Sequence, residues 1–185
     1  MIQFSEIKNA TERKKVKDLY LRAIPAHERA PFFWLWWKRK RKNVSFVNIY
    51  DEEKWVGFVF FSLYKDLVYV WFFAIDDSIR SKGYGSAVFS EIKRLYPNHR
   101  VVLGIEAPNS TAENAEQRVK RKQFYEKNGF RESGYSIQQK KDSFELLLIG
   151  ETLHMEEIYS AFKEVDWLVG TLTAWTGKKK VKKKD

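Results

Sequence analysis

Apolar and polar positions alternate in successive short runs through the first half of the chain. Residues 44–50 alternate, the polar stretch Asp51-Glu52-Glu53-Lys54 follows, and residues 55–63 alternate back again. Tyr64-Lys65-Asp66 then turns into residues 67–75. Such runs, separated by tight polar turns, predict consecutive antiparallel strands. Gly57, early in the second run, marks a place for a bulge. The third run contains Val68-Tyr69-Val70-Trp71-Phe72-Phe73-Ala74-Ile75 and is apolar nearly throughout, as a central strand covered on both faces must be.

Upstream, residues 2–7 alternate loosely and predict a first strand. Lys8-Asn9-Ala10-Thr11 offers a cap for a helix over 12–24, where Val16, Leu19, Tyr20 and Ala23 share one face and Pro25 ends it. After Pro31 a second helix carries Phe32, Phe33, Trp34, Leu35, Trp36 and Trp37. That is more aromatic surface than one buried stripe takes. Core packing is its commoner use, with the remainder left for a pocket or a partner.

Downstream, a helix over 87–95 ends at Pro97-Asn98-His99, and residues 100–105 form a strand. Strand, helix, strand predicts a right-handed parallel crossover. A charged helix follows over 113–127, then a hairpin of 134–139 and 144–149 around Lys140-Lys141-Asp142. A helix over 153–165 presents Met155, Ile158, Tyr159 and Phe162, and the apolar stretch 167–175 has no assigned type.

Composition narrows the chemistry. The 185 residues are 44% hydrophobic and 16% aromatic, which predicts one well-filled core. The absence of cysteine excludes thiol nucleophiles, disulfides and thiolate metal sites. His27, His99 and His154 stand singly, so no metal site is expected. No signal-peptide pattern is visible and no apolar run approaches the roughly 20 residues of a membrane span, so the expectation is a cytoplasmic protein without a membrane role. The net charge of +10 gathers in Lys38, Arg39, Lys40, Arg41 and Lys42 and in Lys178, Lys179, Lys180, Lys182, Lys183 and Lys184. Each cluster is either solvated surface or a weak polyanion-binding site, and the segment 178–185 is expected to be a flexible tail.

The stretch Arg80-Ser81-Lys82-Gly83-Tyr84-Gly85-Ser86 carries the clearest chemistry. A strand delivers the chain to a glycine turn that opens a helix. Glycine permits positive φ, and the first helical turn offers free N–H groups to a phosphate. The P-loop spacing is missing, and the dinucleotide fingerprint fails because Ala87 and Val88 follow Gly85 where a third glycine is needed. Arg-x-x-Gly-x-Gly after a strand resembles the pyrophosphate-binding loop of the GNAT superfamily of N-acetyltransferases. A second stretch, Phe124-Tyr125-Glu126-Lys127-Asn128-Gly129-Phe130, resembles the family's aromatic-Tyr-Glu-Lys-x-Gly-Phe run at the expected distance. The same stretch also reads as an ordinary helix stop on Asn-Gly.

The resemblance, which covers about residues 68–130, implies an α+β (α/β) fold. It would be a single GNAT-like domain over 1–177, with a mixed, mostly antiparallel sheet of about six or seven strands between helices and with splayed central strands. It implies acetyl-coenzyme A as cofactor, held by Arg80, Ser81, Lys82, Gly83, Tyr84, Gly85 and Ser86, with the backbone near Phe73 and Ile75 bonding the pantetheine arm. It implies acetyl transfer to an amine by direct attack, with Tyr125 as general acid toward the thiolate. Glu106, at the end of the strand over 100–105, either accepts the amine's proton, directly or through water, or is a solvated strand-end carboxylate. Arg118 and Arg121 stand where the family often has an asparagine and a small residue, and on this reading either of them, or Lys122, contacts the coenzyme's phosphates. Glu28, Phe33 and Trp36 become candidates for the acceptor site, which would take a small-molecule or peptide amine.

Two other classes stay open: a basic nucleic-acid- or ribosome-associated module, and a GNAT-fold protein that binds coenzyme A without catalysis. Monomer and homodimer are both compatible with the sequence.

Overall fold

The computed structural model describes residues 1–139, 142–166 and 180–183. The chain divides into two compact units, Met1–Leu63 with Val70–Asn98, and Tyr64–Tyr69 with His99–Asp185.

The first unit contains β1 (Ile2–Glu6), α1 (Ala10–Ala23), α2 (Phe32–Lys38), β2 (Val44–Asp51), β3 (Lys54–Tyr64, except its last residue), most of β4 (Leu67–Ile75), a 3-10 turn (Asp77–Ile79) and α3 (Tyr84–Leu95). Its strands run in the order β1-β2-β3-β4. β1 pairs antiparallel to β2, and β2 to β3, with Phe46 opposite Phe60. Asn9 caps α1 by accepting from the Glu12 N–H at 2.9 Å, while the Glu12 carboxylate reaches back to the Lys8 N–H.

Strand alternation sends large aromatic rings to both faces. Tyr20, Phe32, Phe46, Phe58, Phe60 and Phe72 form a chain of ring contacts with centroids between 5.2 and 6.3 Å on one side. On the other, Phe61 meets Phe4 and Tyr96, and Phe73 meets Phe89 of α3. Adjacent Phe72 and Phe73 thus serve opposite cores, which explains the unbroken apolar run in β4.

A bulge is present one residue away from its expected place. Ile49 pairs with Gly57 and Tyr50 with Trp55, so Val56 is the extra residue. Its carbonyl accepts from the Asp76 N–H at 2.9 Å. Gly57 has a different reason to be glycine: a Cβ there would sit 2.1 Å from the Ala74 carbonyl oxygen.

The second unit holds the opening residues of β4, then β5 (Arg100–Glu106), α4 (Ala115–Lys127), β6 (Arg131–Gln139), β7 (Asp142–Ile149), α5 (Met155–Asp166) and β8 (Lys180–Lys183). Continuing from β4 the order is β5-β7-β6-β8, with the β5–β7, β6–β7 and β6–β8 pairs all antiparallel. The described residues therefore hold eight strands and five α-helices. This exceeds the expected strand number. The surplus strand lies within the lysine tail. Residues 180–183 pair with β6, and Val181 is buried opposite Ile137. A lone valine between lysines suffices because the β6 edge offers unpaired backbone groups.

Arg100 ties the base of this unit together. It pairs with Asp66 at 2.8 Å and Glu157 at 2.6 Å, and donates to the Thr152 carbonyl at 2.8 Å. α5 buries Ile158, Ala161 and Phe162, the last against Tyr69, while Tyr159 lies partly exposed. The predicted turn at 140–141 and the apolar stretch 167–175 lie outside the described residues.

Candidate active site

The chain leaves β4 through a turn built from its own side chains. Asp76 Oδ1 accepts from the Ser78 N–H at 3.1 Å and from Ser78 Oγ at 2.6 Å, and these bonds hold its carboxyl below the usual range. Ile79 is buried and anchors the turn. Arg80 pairs with Asp77 at 2.5 Å, and its Nε donates to the Ile75 carbonyl. Arg22 of α1 also reaches Asp77, at 3.2 Å. The Asp77–Arg80 clamp is legible in the sequence as an i,i+3 pair of opposite charges.

Two residues of the turn adopt left-handed backbone: Ser81 at φ 64° and Gly83 at φ 81°. For serine this conformation costs about 1 kcal/mol, and such strain persists where the surroundings impose it, commonly at ligand sites. Gly83 caps α3, and open space surrounds the point where its Cβ would lie. The first intrahelical bond of α3 is Ala87 N–H to the Gly83 carbonyl, at 3.1 Å. The N–H groups of Tyr84, Gly85 and Ser86 precede it and gather at the positive end of the helix. Lys82 is exposed beside them. The Tyr84 hydroxyl donates to Asp51 at 3.3 Å, so this ring fixes the turn to the end of β2.

Phe73 and Ile75 bear on the same unit. The Asp76 N–H points to β3, so by the two-residue alternation Phe73 and Ile75 direct their backbone groups to the opposite edge of β4. The expected acceptor-site residues all belong to this unit: Phe33 is 75% exposed on α2, Trp36 is half-buried, and Glu28 sits in the turn after α1 with His27 Nε2 at 3.7 Å.

In the second unit Glu106 closes β5 with its side chain 1% exposed. Arg118 approaches it at 2.8 Å and Arg121 at 3.1 Å, and the Asn114 side-chain amide donates to it at 3.1 Å. Arg118 also donates to Asn114 Oδ1 and to the Ala107 carbonyl. Glu106 is therefore not a solvated carboxylate. The two arginines, which the sequence assigned to phosphates, are engaged with the protein. Lys122 is engaged likewise, with Glu132 and Glu145. Burial pulls its ammonium down, but these two carboxylates more than offset that, and its pKa is raised. No residue of α4 is buried, so charge pairs hold this helix where apolar packing does not.

Tyr125 lies at the end of α4, where the chain stops by a left-handed glycine. Gly129 has φ 87°, its N–H donates to the Glu126 carbonyl at 2.9 Å, and the Phe130 N–H donates to the Tyr125 carbonyl at 3.1 Å. This is the Schellman arrangement. Its apolar contact is the Tyr125–Phe130 ring pair, at 5.5 Å, with Phe124 on the other side at 5.1 Å. The Phe-Tyr-Glu-Lys-Asn-Gly-Phe stretch is thus a helix stop that fixes the tyrosine ring.

Residues 11–130 match the acetyltransferase (GNAT) family. The chain belongs to that family. Solved GNAT structures share its fold at low identity. An acetyltransferase of this family from Bacteroides thetaiotaomicron is 19% identical at a TM-score of 0.65, covering 96% of this chain and 99% of the other. The ribosomal-protein-S18-alanine N-acetyltransferase of Escherichia coli is 15% identical at 0.58, covering 84% and 97%. A Bacillus subtilis acetyltransferase in complex with CoA is 14% identical at 0.55, covering 81% and 97%. No curated protein matches the sequence closely enough to count as a relative. Among the described residues, no helix of this GNAT chain is long and apolar enough to cross a membrane.

Proposed function

We propose that the protein is an acetyl-coenzyme A-dependent N-acetyltransferase whose pyrophosphate cradle is the turn at residues 80–86. The observation that carries this reading is the left-handed Ser81–Gly83 turn, which gathers three N–H groups at the start of α3 beside Lys82. A diphosphate fits a cradle of free donors at a helix N-terminus with no side chain in the way. The backbone near Phe73 and Ile75, on the edge of β4 away from β3, would bond the amide-bearing arm, as the family resemblance implies.

When bound, acetyl-coenzyme A supplies the acetyl group as a thioester. The acceptor amine would give up its proton to water, and the Tyr125 hydroxyl would donate its proton to the coenzyme's departing sulfur and regain one from solvent. A phenol suits this step because it is neutral and able to donate at pH 7. Glu106, held by Arg118 and Arg121, acts in this reading as a positioning residue that fixes α4, and through α4 the Tyr125 ring. The acceptor is a small-molecule or peptide amine.

Isothermal titration of acetyl-coenzyme A into the parent and Gly85→Glu tests the cradle. Binding by the parent that disappears in the folded variant supports it, and no binding by the parent overturns the enzyme reading. Tyr125→Phe, assayed by thiol release on an amine panel, should bind the coenzyme normally and lose about 100-fold or more in kcat, the usual worth of a general acid.

A further inference from the structure

The surface formed by α1 and α2 pairs exposed rings with cations that no acid neutralises. Phe33 and Trp37 are 75% and 47% exposed, and four residues apart they stand side by side on α2. Trp36 lies beneath the Arg39 guanidinium, 3.8 Å from its ring centroid, with Arg13 of α1 at 5.3 Å. Among the described residues neither Arg13 nor Arg39 has an ion-pair partner, and the Arg39 Nε is buried without an acceptor. Lys40 and Lys42, both exposed, extend the patch. The nearby acids of α1 are committed elsewhere: Glu12 to Lys8, Asn9 and Asn48, and Asp18 to Lys14 at 2.8 Å. Residues 32–42 contain no acid.

We infer that this face binds single-stranded nucleic acid, with Phe33 and Trp37 stacking bases while Arg13, Arg39, Lys40 and Lys42 contact the phosphates. The pairing of two exposed rings with four cations decides the class. An acidic peptide would match the charge and leave the rings uncovered. A bilayer would need a longer apolar stripe than α2, which spans about 10 Å, can present. Stacking on aromatic faces is sequence-tolerant, and an arginine held over a tryptophan keeps its N–H edge for phosphate oxygens.

The test is fluorescence anisotropy of a labelled oligouridylate of about 12 nucleotides with the full chain. Binding in the micromolar range at low salt is expected, as for non-specific sites. Four phosphate contacts predict a fall of about fifty-fold between roughly 50 and 200 mM salt. Phe33→Ala with Trp37→Ala should weaken binding at least about ten-fold without changing the salt slope, since each lost stack alone costs several-fold. Lys40→Gln with Lys42→Gln should roughly halve the slope. All four positions are exposed, and unfolding curves superimposable on the parent's certify the variants. Three results would overturn the inference: no binding at low salt, equal loss of inorganic polyphosphate binding in the aromatic variant, or phosphatidylserine vesicles bound through these residues while the oligonucleotide is not.

Discussion

Gly57→Ala isolates the close approach of β3 to the end of β4, because an ordinary strand would respond in the opposite direction. Alanine in a strand interior is normally favoured over glycine by about 0.5–1 kcal/mol through the unfolded chain's entropy. Here the added Cβ would lie 2.1 Å from the Ala74 carbonyl oxygen and 3.1 Å from Ala74 C and Ile75 Cα. All three are backbone atoms, so no rotamer change relieves the contact, and the strands must separate by about 1 Å to reach van der Waals distance. That movement pulls on the Asp76 N–H to Val56 carbonyl bond, now 2.9 Å. Overpacking costs about 1–3 kcal/mol and a lost backbone bond about 1, so the variant should be less stable by about 2–4 kcal/mol. For a chain of this size that lowers Tm by about 4–16 °C. Urea unfolding followed by tryptophan fluorescence reads the difference, with the m-value unchanged. A variant as stable as the parent, or more so, would mean that the approach is not tight and that Gly57 serves no packing purpose.

Gly83→Ala should cost about 1 kcal/mol, because a left-handed φ of 81° is imposed on a residue whose Cβ meets nothing. Gly83→Asn should cost less, and thermal melts of the three proteins check the order. The Asp66 and Glu157 carboxyls lie below their ordinary values through hydrogen bonds from Arg100. The unfolded chain therefore takes up protons first as pH falls, so the stability they lend is complete above the ordinary carboxylate range and is lost progressively as pH falls through that range and below it. Urea midpoints of the parent and Arg100→Leu should differ near neutrality and converge toward pH 3, and a constant gap would refute the assignment. Glu106→Gln should lose about 1–3 kcal/mol of stability by weakening its bonds to Arg118 and Arg121. Its pH–rate profile should keep the parent's shape, and loss of an acidic limb would restore Glu106 as the base.

The elements whose logic is local were legible in the sequence. β4 begins and ends where the apolar run does, α1 takes its cap from Asn9, and the Asn128-Gly129 stop forms as its residues dictate. What escaped was long-range. Val56 bulges because its carbonyl has a partner at Asp76, twenty residues on, and only the paired strands reveal which neighbour of Gly57 is extra. The strand at 180–183 needed the free edge of β6, which no local pattern announces. Lys38, first of a basic run, is wholly buried with its ammonium about 5 Å from the Trp34 and Trp37 ring centroids, so it is withdrawn from the surface patch that Lys40 and Lys42 extend.

The same distinction explains why Glu106, Arg118 and Arg121 were assigned separately in the sequence and act together in the fold. The carboxylate ends a strand, and the arginines lie twelve and fifteen residues later on a helix with no buried residue of its own. A helix so polar has little apolar area with which to fix its orientation. Two guanidiniums closing on one buried carboxylate supply a directional tie in its place, and breaking such a pair from one side leaves an uncompensated charge. The arginines that depart from the family's usual residues thus belong to the scaffold of α4.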